Sequence, residues 1–261
     1  MLQFAKWSII TAMIYHKLII PLLIAVQFLT TIPVRLPYLP SREQNVVSML
    51  YYPLIGVMIG VVLWLLASFV SLPIMLLSCL VMAVWVWLTG GLHLDGLADT
   101  ADAWVGGFGD KERTLTIMKD PNAGAMGVIA IVVNLALKWA AVYSLLELRS
   151  LLALIIIPML ARLSALVLFA STPYVRKQGL GSALAGLGKG KTLLALLLYL
   201  PLLVILPWQM AVGLAVVWLG LMAYLRARFM ARIGGITGDT VGASIEISEV
   251  VLLVVVMWLY Y

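Results

Sequence analysis

Long apolar stretches recur along the chain and restrict its fold more than any other feature of the sequence. A helix needs about 20 apolar residues to cross the hydrocarbon layer of a bilayer. An extra stretch at 18–32 is short for a full crossing and contains Pro21. The sequence predicts an all-α, polytopic membrane bundle of seven to eight segments. The main predicted spans are 49–71, 74–92, 127–148, 150–170, 192–207, 209–231 and 241–260.

The composition excludes several other classes of protein. Hydrophobic residues make up 64% of the 261 residues and charged residues 11%, whereas a soluble domain is about half apolar and about 25% charged. A secreted globule, a coiled coil and a free nucleic-acid-binding domain are therefore excluded. Cys79 is the only cysteine, so no intrachain disulfide is expected. We predict one membrane domain, 1–261, in which 1–24 is an N-terminal extension or an interfacial segment.

Positive charges predict the orientation of this bundle. The short turns on one side contain only Arg149, whereas the polar connections on the other side hold most of the Lys and Arg. An excess of Lys and Arg marks the cytoplasmic side of a membrane protein. We therefore expect a polar site that faces the cytoplasm, and the net charge of +6 needs no nucleic acid to explain it. The polar connections are 33–48, 93–126, 171–191 and 226–240.

Acidic residues are concentrated in two short segments, and they are the main indication of function. Five of the eleven lie between positions 95 and 112, and three more lie between 239 and 249. Carboxylates near bilayer depth are costly and usually face a polar cavity or pathway. We predict one site built from an Asp-rich loop, 93–126, and a second acidic motif, 232–250.

The first acidic cluster contains Asp95, Asp99 and Asp102, at positions i, i+4 and i+7. On a helix this spacing places all three carboxylates on one face, where they repel one another. A hard divalent cation removes the repulsion, and oxygen ligands suit Mg²⁺ or Mn²⁺. The alternative is a solvated helix end with a capping Asp.

The second cluster contains Asp239 and Glu246, seven residues apart, with Glu249 one helical turn further on. The glycines before it allow a close approach of backbone to a ligand. A helix cap would explain Asp239 alone. We predict that either Asp102 or Asp239 is the general base. The predicted metal ligands are Asp95, Asp99, Asp102, Asp239 and Glu246.

Cations near the acids suit a diphosphate, since Lys or Arg neutralises the oxygens that the metal leaves. Arg113, Lys119 and Arg176 are the predicted phosphate-binding residues, although the positive-inside rule would supply such cations equally well. Lys138 and Arg162 lie deeper, where they could pair with the acids, snorkel or bind phosphate. The residues predicted to support the ligands indirectly are His93, Asp120 and Thr240.

Four ordered motifs carry a resemblance to a known family. They are residues 91–102, residues 117–120 with Gly124 and Gly127, Arg176 with 179–181, and 237–240 with 242–243 leading to Glu246. The segments 28–33 and 52–56 also look like the beginning of that family's sequences. Together with the four motifs, they resemble the cobalamin synthase family, also called adenosylcobinamide-GDP ribazoletransferase, from about residue 25 onward. Two departures are the N-terminal extension and Ala103, where the family often has Gly.

The resemblance implies a reaction in a prokaryotic inner membrane. The hydroxyl of α-ribazole, or of its 5′-phosphate, would attack the cobinamide-linked phosphoryl group of adenosylcobinamide-GDP. GMP would leave, and cobalamin or its 5′-phosphate would form, with Mg²⁺ as cofactor. The sequence leaves open whether the chain forms a homo-oligomer or associates with other nucleotide-loop assembly enzymes.

Two other functions remain compatible with the residues. Another Mg²⁺-dependent membrane transferase, similar to a prenyltransferase, would also act on a diphosphate, but the spaced Asn-Asp pattern of that class is absent. A transporter would use intramembrane charges as a pathway. Transporters typically contain internal repeats and a site near the midplane, whereas no convincing repeat is visible here and the acids gather at one face.

Overall fold

The computed structural model describes residues 15–176, 180–184 and 186–260. Residues 1–14, which form most of the predicted N-terminal extension, lie outside the described residues, as does Gly179 of the third motif. In the described chain, α-helices are joined by short turns, and an isolated parallel bridge links Tyr174 to Ile236. The helices are α1 (Ile20–Leu29), α2 (Arg42–Ser48), α3 (Tyr52–Phe69), α4 (Ile74–Thr89), α5 (Leu92–Gly106), α6 (Lys111–Ile117), α7 (Ala125–Glu147), α8 (Ala153–Ser171), α9 (Leu180–Leu184), α10 (Lys189–Tyr199), α11 (Trp208–Ile233) and α12 (Gly238–Tyr260).

The lengths of these helices identify a multi-pass membrane protein. Five helices in the described residues are long and apolar enough to cross a membrane, or six if the bent pair α4 and α5 counts as one span. The predicted span 192–207 is instead divided between α10 and a short 3-10 helix, Leu200–Ile205. The stretch at 18–32 forms the short apolar helix Tyr15–Leu29. The membrane helices are Arg42–Phe69, which includes α2 and α3, and α7, α8, α11 and α12.

Helix α8 forms the centre of the bundle, and glycines allow α3 to approach it closely. A Cβ atom at Gly60 would lie 2.5 Å from the carbonyl oxygen of Leu154, and one at Gly56 would overlap the carbonyl oxygen of Pro158. The apolar window of α8 is 83% buried, whereas that of α7 is only 28% buried. Because large apolar side chains such as Val132 on α7 are exposed, the outer helices present an apolar surface suited to lipid.

Two glycines divide α4 from α5. Gly90 and Gly91 both have left-handed backbone conformations, with φ values of 61° and 70°, a region that glycine enters without steric cost. The two helices meet at an angle of 86°. As a result α5 runs nearly perpendicular to α4 and packs against α12 and α7.

The polar connections meet at one end of the bundle. Ile236 donates a backbone hydrogen bond to Pro173 over 2.8 Å, which joins the segment after α8 to the segment before α12. Arg232 donates to the carbonyl oxygen of Trp104 over 2.7 Å, and Arg176 donates to that of Met118 over 3.1 Å. These contacts bring described parts of the polar connections 93–126, 171–191 and 226–240 together.

Candidate functional site

Helices α5 and α12 bring the two acidic clusters together. A Cβ atom at Gly96 would lie 2.8 Å from the carbonyl oxygen of Asp239, and one at Gly242 would lie 3.3 Å from the Cα atom of His93. Any larger side chain at position 96 would separate the two backbones. These glycines place the predicted Asp-rich segment directly against the start of the second acidic motif.

Asp239 forms an ion pair at the start of α12. Arg176 lies 2.6 Å from one carboxylate oxygen of Asp239, and both side chains are about one-fifth exposed (20% and 19%). Thr237 and Thr240 fix the backbone here, because each backbone N–H donates to the hydroxyl of the other residue, over 2.9 and 3.2 Å. Burial, together with the charge of Asp239, raises the pKa of the nearby Tyr174 hydroxyl. Thr240 thus helps to shape the backbone next to Asp239.

Asp102 caps a helix in this structure. Its carboxylate oxygens accept hydrogen bonds from the backbone N–H groups of Gly124 and Gly127, over 2.7 and 2.8 Å. These donors lie in the first turn of α7, where N–H groups have no partner within the helix. A Cβ atom at either glycine would overlap the carboxylate. The capping role that the sequence left as an alternative therefore describes Asp102 better than its predicted role as base.

Asp95, Asp99 and Asp239 are the carboxylates of the site without such a cap. Asp99 is repelled by Asp95, Asp239 and Asp102, and attracted by Arg176. Mg²⁺ typically takes one or two carboxylates and completes its shell with water and substrate phosphate. The oxygen donors on α5 and α12 fit that pattern. Within the described ranges, no three His, Cys, Asp or Glu side chains are placed so that they could hold a metal ion by themselves.

Glu246 lies deeper than the aspartates, in a buried charge cluster that we define as Lys138, Arg162, Glu246 and Glu249. Lys138 is 2.7 Å from Glu246, and it also pairs with Glu249, which pairs in turn with Arg162. Asn134 donates to Glu246 over 2.8 Å. All four charged side chains are at most 3% exposed. Of the three interpretations left open for Lys138 and Arg162, the structure selects pairing with the acids.

This placement differs from the one predicted for Glu246. The separation of seven positions between Asp239 and Glu246 corresponds to about 10 Å along a helix, so sharing a helical face did not bring the two carboxylates to one point. One carboxylate oxygen of Glu246, Oε2, accepts hydrogen bonds from both Lys138 and Asn134. The structure therefore assigns Glu246 to the buried charge cluster.

A cavity of about 220 Å³ opens beside the aspartates. His93, Asp95, Asp239 and Arg176 form one part of its wall, and aromatic and aliphatic side chains form the rest. His93 is 3% exposed and its Nδ1 atom has no hydrogen-bonding partner. Sequence reasoning missed the apolar wall, since apolar side chains in membrane helices carry no local signal that they face a cavity. The remaining wall residues include Phe28, Leu29, Tyr52, Phe169, Tyr174 and Ile245.

The other predicted residues lie on the segment between α5 and α7, which includes the short helix α6. Arg113 and Lys119 are exposed, close in sequence to Met118, whose carbonyl oxygen accepts from Arg176. Asp120 is also exposed. The backbone and side-chain N–H groups of Asn122 donate to it, and these bonds lower the pKa of its carboxyl group. Asp120 thus shapes the turn and makes no described contact with the aspartates of α5.

The fold and this site define a class: multi-pass membrane proteins in which carboxylates and an arginine meet beside a cavity at one end of a helical bundle. A family model described as cobalamin-5-phosphate synthase matches residues 21–257. The chain belongs to that family, as its motifs predicted.

Curated relatives agree with this assignment. An adenosylcobinamide-GDP ribazoletransferase of Acinetobacter baumannii (strain ACICU) is 52% identical over 235 residues, 89% of this chain and 95% of the relative. Proteins of the same name from Pseudomonas fluorescens (strain Pf0-1) and Stutzerimonas stutzeri (strain A1501) are 48% and 46% identical, over 90% of this chain and 98% and 96% of their own lengths. No solved structure matches the chain.

Proposed function

We propose that this chain is an adenosylcobinamide-GDP ribazoletransferase, which joins adenosylcobinamide-GDP to α-ribazole or its 5′-phosphate and releases GMP. The main structural support is the position of Asp95 and Asp239 beside Arg176 in the wall of a cavity, with Asp99 close enough to interact electrostatically with all three. Carboxylates for a cation and an arginine for phosphate are the groups that phosphoryl transfer needs. The relatives named above favour this function over a prenyltransferase or a transporter.

One or two carboxylates from among Asp95, Asp99 and Asp239 would hold Mg²⁺, or Mn²⁺ in its place, with water and substrate phosphate as the other ligands. When bound, the ion neutralises charge on the diphosphate and on the departing phosphate of GMP. Arg176 would bind the diphosphate, for which its planar guanidinium group is well suited. To do so it needs to share or exchange its ion pair with Asp239. Arg113 and Lys119 would bind phosphate from the segment between α5 and α7.

In the reaction, the acceptor hydroxyl oxygen forms a bond to the cobinamide-linked phosphorus, and the bond from that phosphorus to the oxygen of GMP breaks. A carboxylate of the site takes the hydroxyl proton. We assign this role to Asp239, since both oxygens of Asp102 accept hydrogen bonds from the first turn of α7. The departing phosphate carries the negative charge.

We further propose that the polar end faces the cytoplasm of a prokaryotic cell and that the bundle lies in the inner membrane. The Lys and Arg residues gathered in the polar connections support this orientation. The nucleotide-linked substrate is charged, and it would then reach the aspartates without crossing the membrane.

Release of GMP by purified protein in lipid tests the proposal. The reaction contains adenosylcobinamide-GDP, α-ribazole 5′-phosphate and Mg²⁺, and the controls are EDTA and Asp95→Asn. We expect GMP and a cobamide in equal amounts, only with the cation and the intact aspartate. If folded protein with all components releases no GMP, the transferase function is wrong.

A further inference from the structure

The cavity beside the aspartates has a largely aromatic wall that the reaction chemistry leaves unexplained. Phe28 and Tyr52 stack with their ring centroids 6.0 Å apart and an angle of 18° between the planes. Phe169 and Tyr174 stack in the same manner, at 5.9 Å and 15°. All four residues line the cavity, together with aliphatic side chains such as Ile245. Such walls suit a flat, apolar ligand group.

The volume of the cavity limits the size of that group. At about 220 Å³, it is smaller than the roughly 300–1,000 Å³ of sites that enclose a drug-sized ligand. The cavity is therefore too small to enclose a corrinoid or a complete nucleotide diphosphate. A bicyclic ring system is of suitable size, with the rest of its molecule outside the cavity.

Two buried polar atoms on the wall define how polar the group can be. The hydroxyl of Tyr52 and the Nδ1 atom of His93 have no hydrogen-bonding partner, and the two residues are only 2% and 3% exposed. A buried polar atom without a partner costs free energy. The cavity therefore suits a ring with one or two hydrogen-bonding atoms, and not a ring with polar groups on every edge.

We propose that the cavity binds the base of α-ribazole, which deepens the function proposed above and rests on it. This base is a methylated benzimidazole: an apolar bicycle whose one unglycosylated nitrogen accepts a hydrogen bond. Tyr52 or His93 supplies the donor. The ribose then projects past Asp95 and Asp239, where the acceptor hydroxyl meets the diphosphate, and Arg176 lies beside the same opening.

The assignment makes the cavity a selector of the base. Guanine or adenine would bring several ring nitrogens and exocyclic groups against Phe28, Phe169 and Ile245, which offer them no partner. Leaving such groups unpaired lowers affinity much more than an extra methyl group does. The chain should therefore prefer a riboside of benzimidazole to the corresponding riboside of a purine.

Equilibrium binding of α-ribazole to the full chain in lipid nanodiscs tests this assignment without cation or second substrate. Loss of stacking in Phe28→Ala should weaken binding about 10-fold or more. Loss of the hydroxyl in Tyr52→Phe should weaken it about 3- to 10-fold. Phe69→Ala is the matched control, because Phe69 is 75% exposed at the far end of α3. The affinity of this variant for α-ribazole should stay within about twofold of that of the wild type.

The outcomes separate this assignment from the reaction itself. Wild-type affinity for α-ribazole in both Phe28→Ala and folded Tyr52→Phe would overturn it, as would equal affinity of the wild type for an α-linked adenine riboside. Weakened GMP binding with unchanged α-ribazole binding would place guanine in the cavity, and would also overturn it. If α-ribazole binds as expected but GMP is never released, the cavity assignment stands and the transferase function fails.

Discussion

Two groups of charged residues meet α12 about two turns apart, and they differ in how their charges are balanced. At the polar end, Asp95, Asp99, Asp102 and Asp239 share a single described ion pair, with Arg176. The buried charge cluster contains two carboxylates and two cations, joined in a chain of ion pairs. The first group has an excess of negative charge, and the second has none.

The difference shows that carboxylates in apolar helices serve two purposes that composition cannot separate. A balanced group removed from water holds helices together, since removal of one partner leaves an uncompensated charge. An unbalanced group at an opening keeps capacity for a cation or a substrate. The predictions below test this contrast by removing one charge at a time from each group.

The largest effect is expected for Glu249→Gln in the buried charge cluster. Glu249 pairs with both Lys138 and Arg162 and is fully buried, so its loss leaves two buried cations with one carboxylate. Breaking such a group costs about 3–5 kcal/mol. Thermal unfolding in detergent measures the loss, and Glu147→Gln at an exposed position of α7 is the control. An unchanged unfolding midpoint for Glu249→Gln would contradict the structural role.

Asp95→Asn should produce the opposite pattern at the polar end. Removing one of several mutually repelling carboxylates should leave the thermal midpoint unchanged or raise it. The rate of GMP release should fall by about 100-fold or more, because the cation proposed above would lose a ligand. The exposed Glu112→Gln, in the first turn of α6, controls for loss of a negative charge near the site. If the Asp95→Asn protein were destabilised but fully active, Asp95 would have a structural role and the contrast between the two groups would be wrong.

A double-mutant cycle at Lys138 and Glu246 should give a smaller but more specific effect. The two side chains lie 2.7 Å apart and are buried, so Lys138→Met alone leaves Glu246 without its main partner. Adding Glu246→Gln removes that unpaired charge and should recover about 1–3 kcal/mol of stability. The free energies of unfolding of the four proteins give the coupling. Additive losses would show that this pair does not act as a unit.

The smallest effect is expected for Asp120→Asn. Asp120 is exposed, and its described partner is Asn122 within the same turn. Stability should change by less than about 0.5 kcal/mol, and GMP release should remain within about twofold of the wild type. A large loss of activity in steady-state measurements would mean that this turn moves toward the aspartates when substrate binds.

The sequence predicted an Asp-rich loop over 93–126, whereas Asp95, Asp99 and Asp102 lie on the helix α5, where their i, i+4, i+7 spacing places them on one face because helical periodicity is a local property. The cap that Asp102 forms could not be predicted in the same way, since it depends on where α7 begins relative to α5. The pairing of Glu246 with Lys138 likewise depends on the packing of α12 against α7.

Two of the segments that hydropathy assigned to spans contain breaks in the structure. Helix α4 has 16 residues and ends at the bend before α5, and the apolar segment after Lys189 changes from α-helix to 3-10 helix at Leu200. A hydropathy window counts apolar residues and is insensitive to such breaks. The apolar wall around Phe28 and Tyr52 escaped prediction for a related reason, because lipid and a dry cavity select the same residue types.

The bend at Gly90 and Gly91 determines how far the reaction takes place from the lipid. If α4 continued straight, the 15 residues of α5 would extend about 22 Å beyond the end of α4, and the aspartates would stand in open water. The 86° turn instead folds them back onto the bundle. A solute drawn from the aqueous phase must therefore come to the end of the helical bundle itself to reach them.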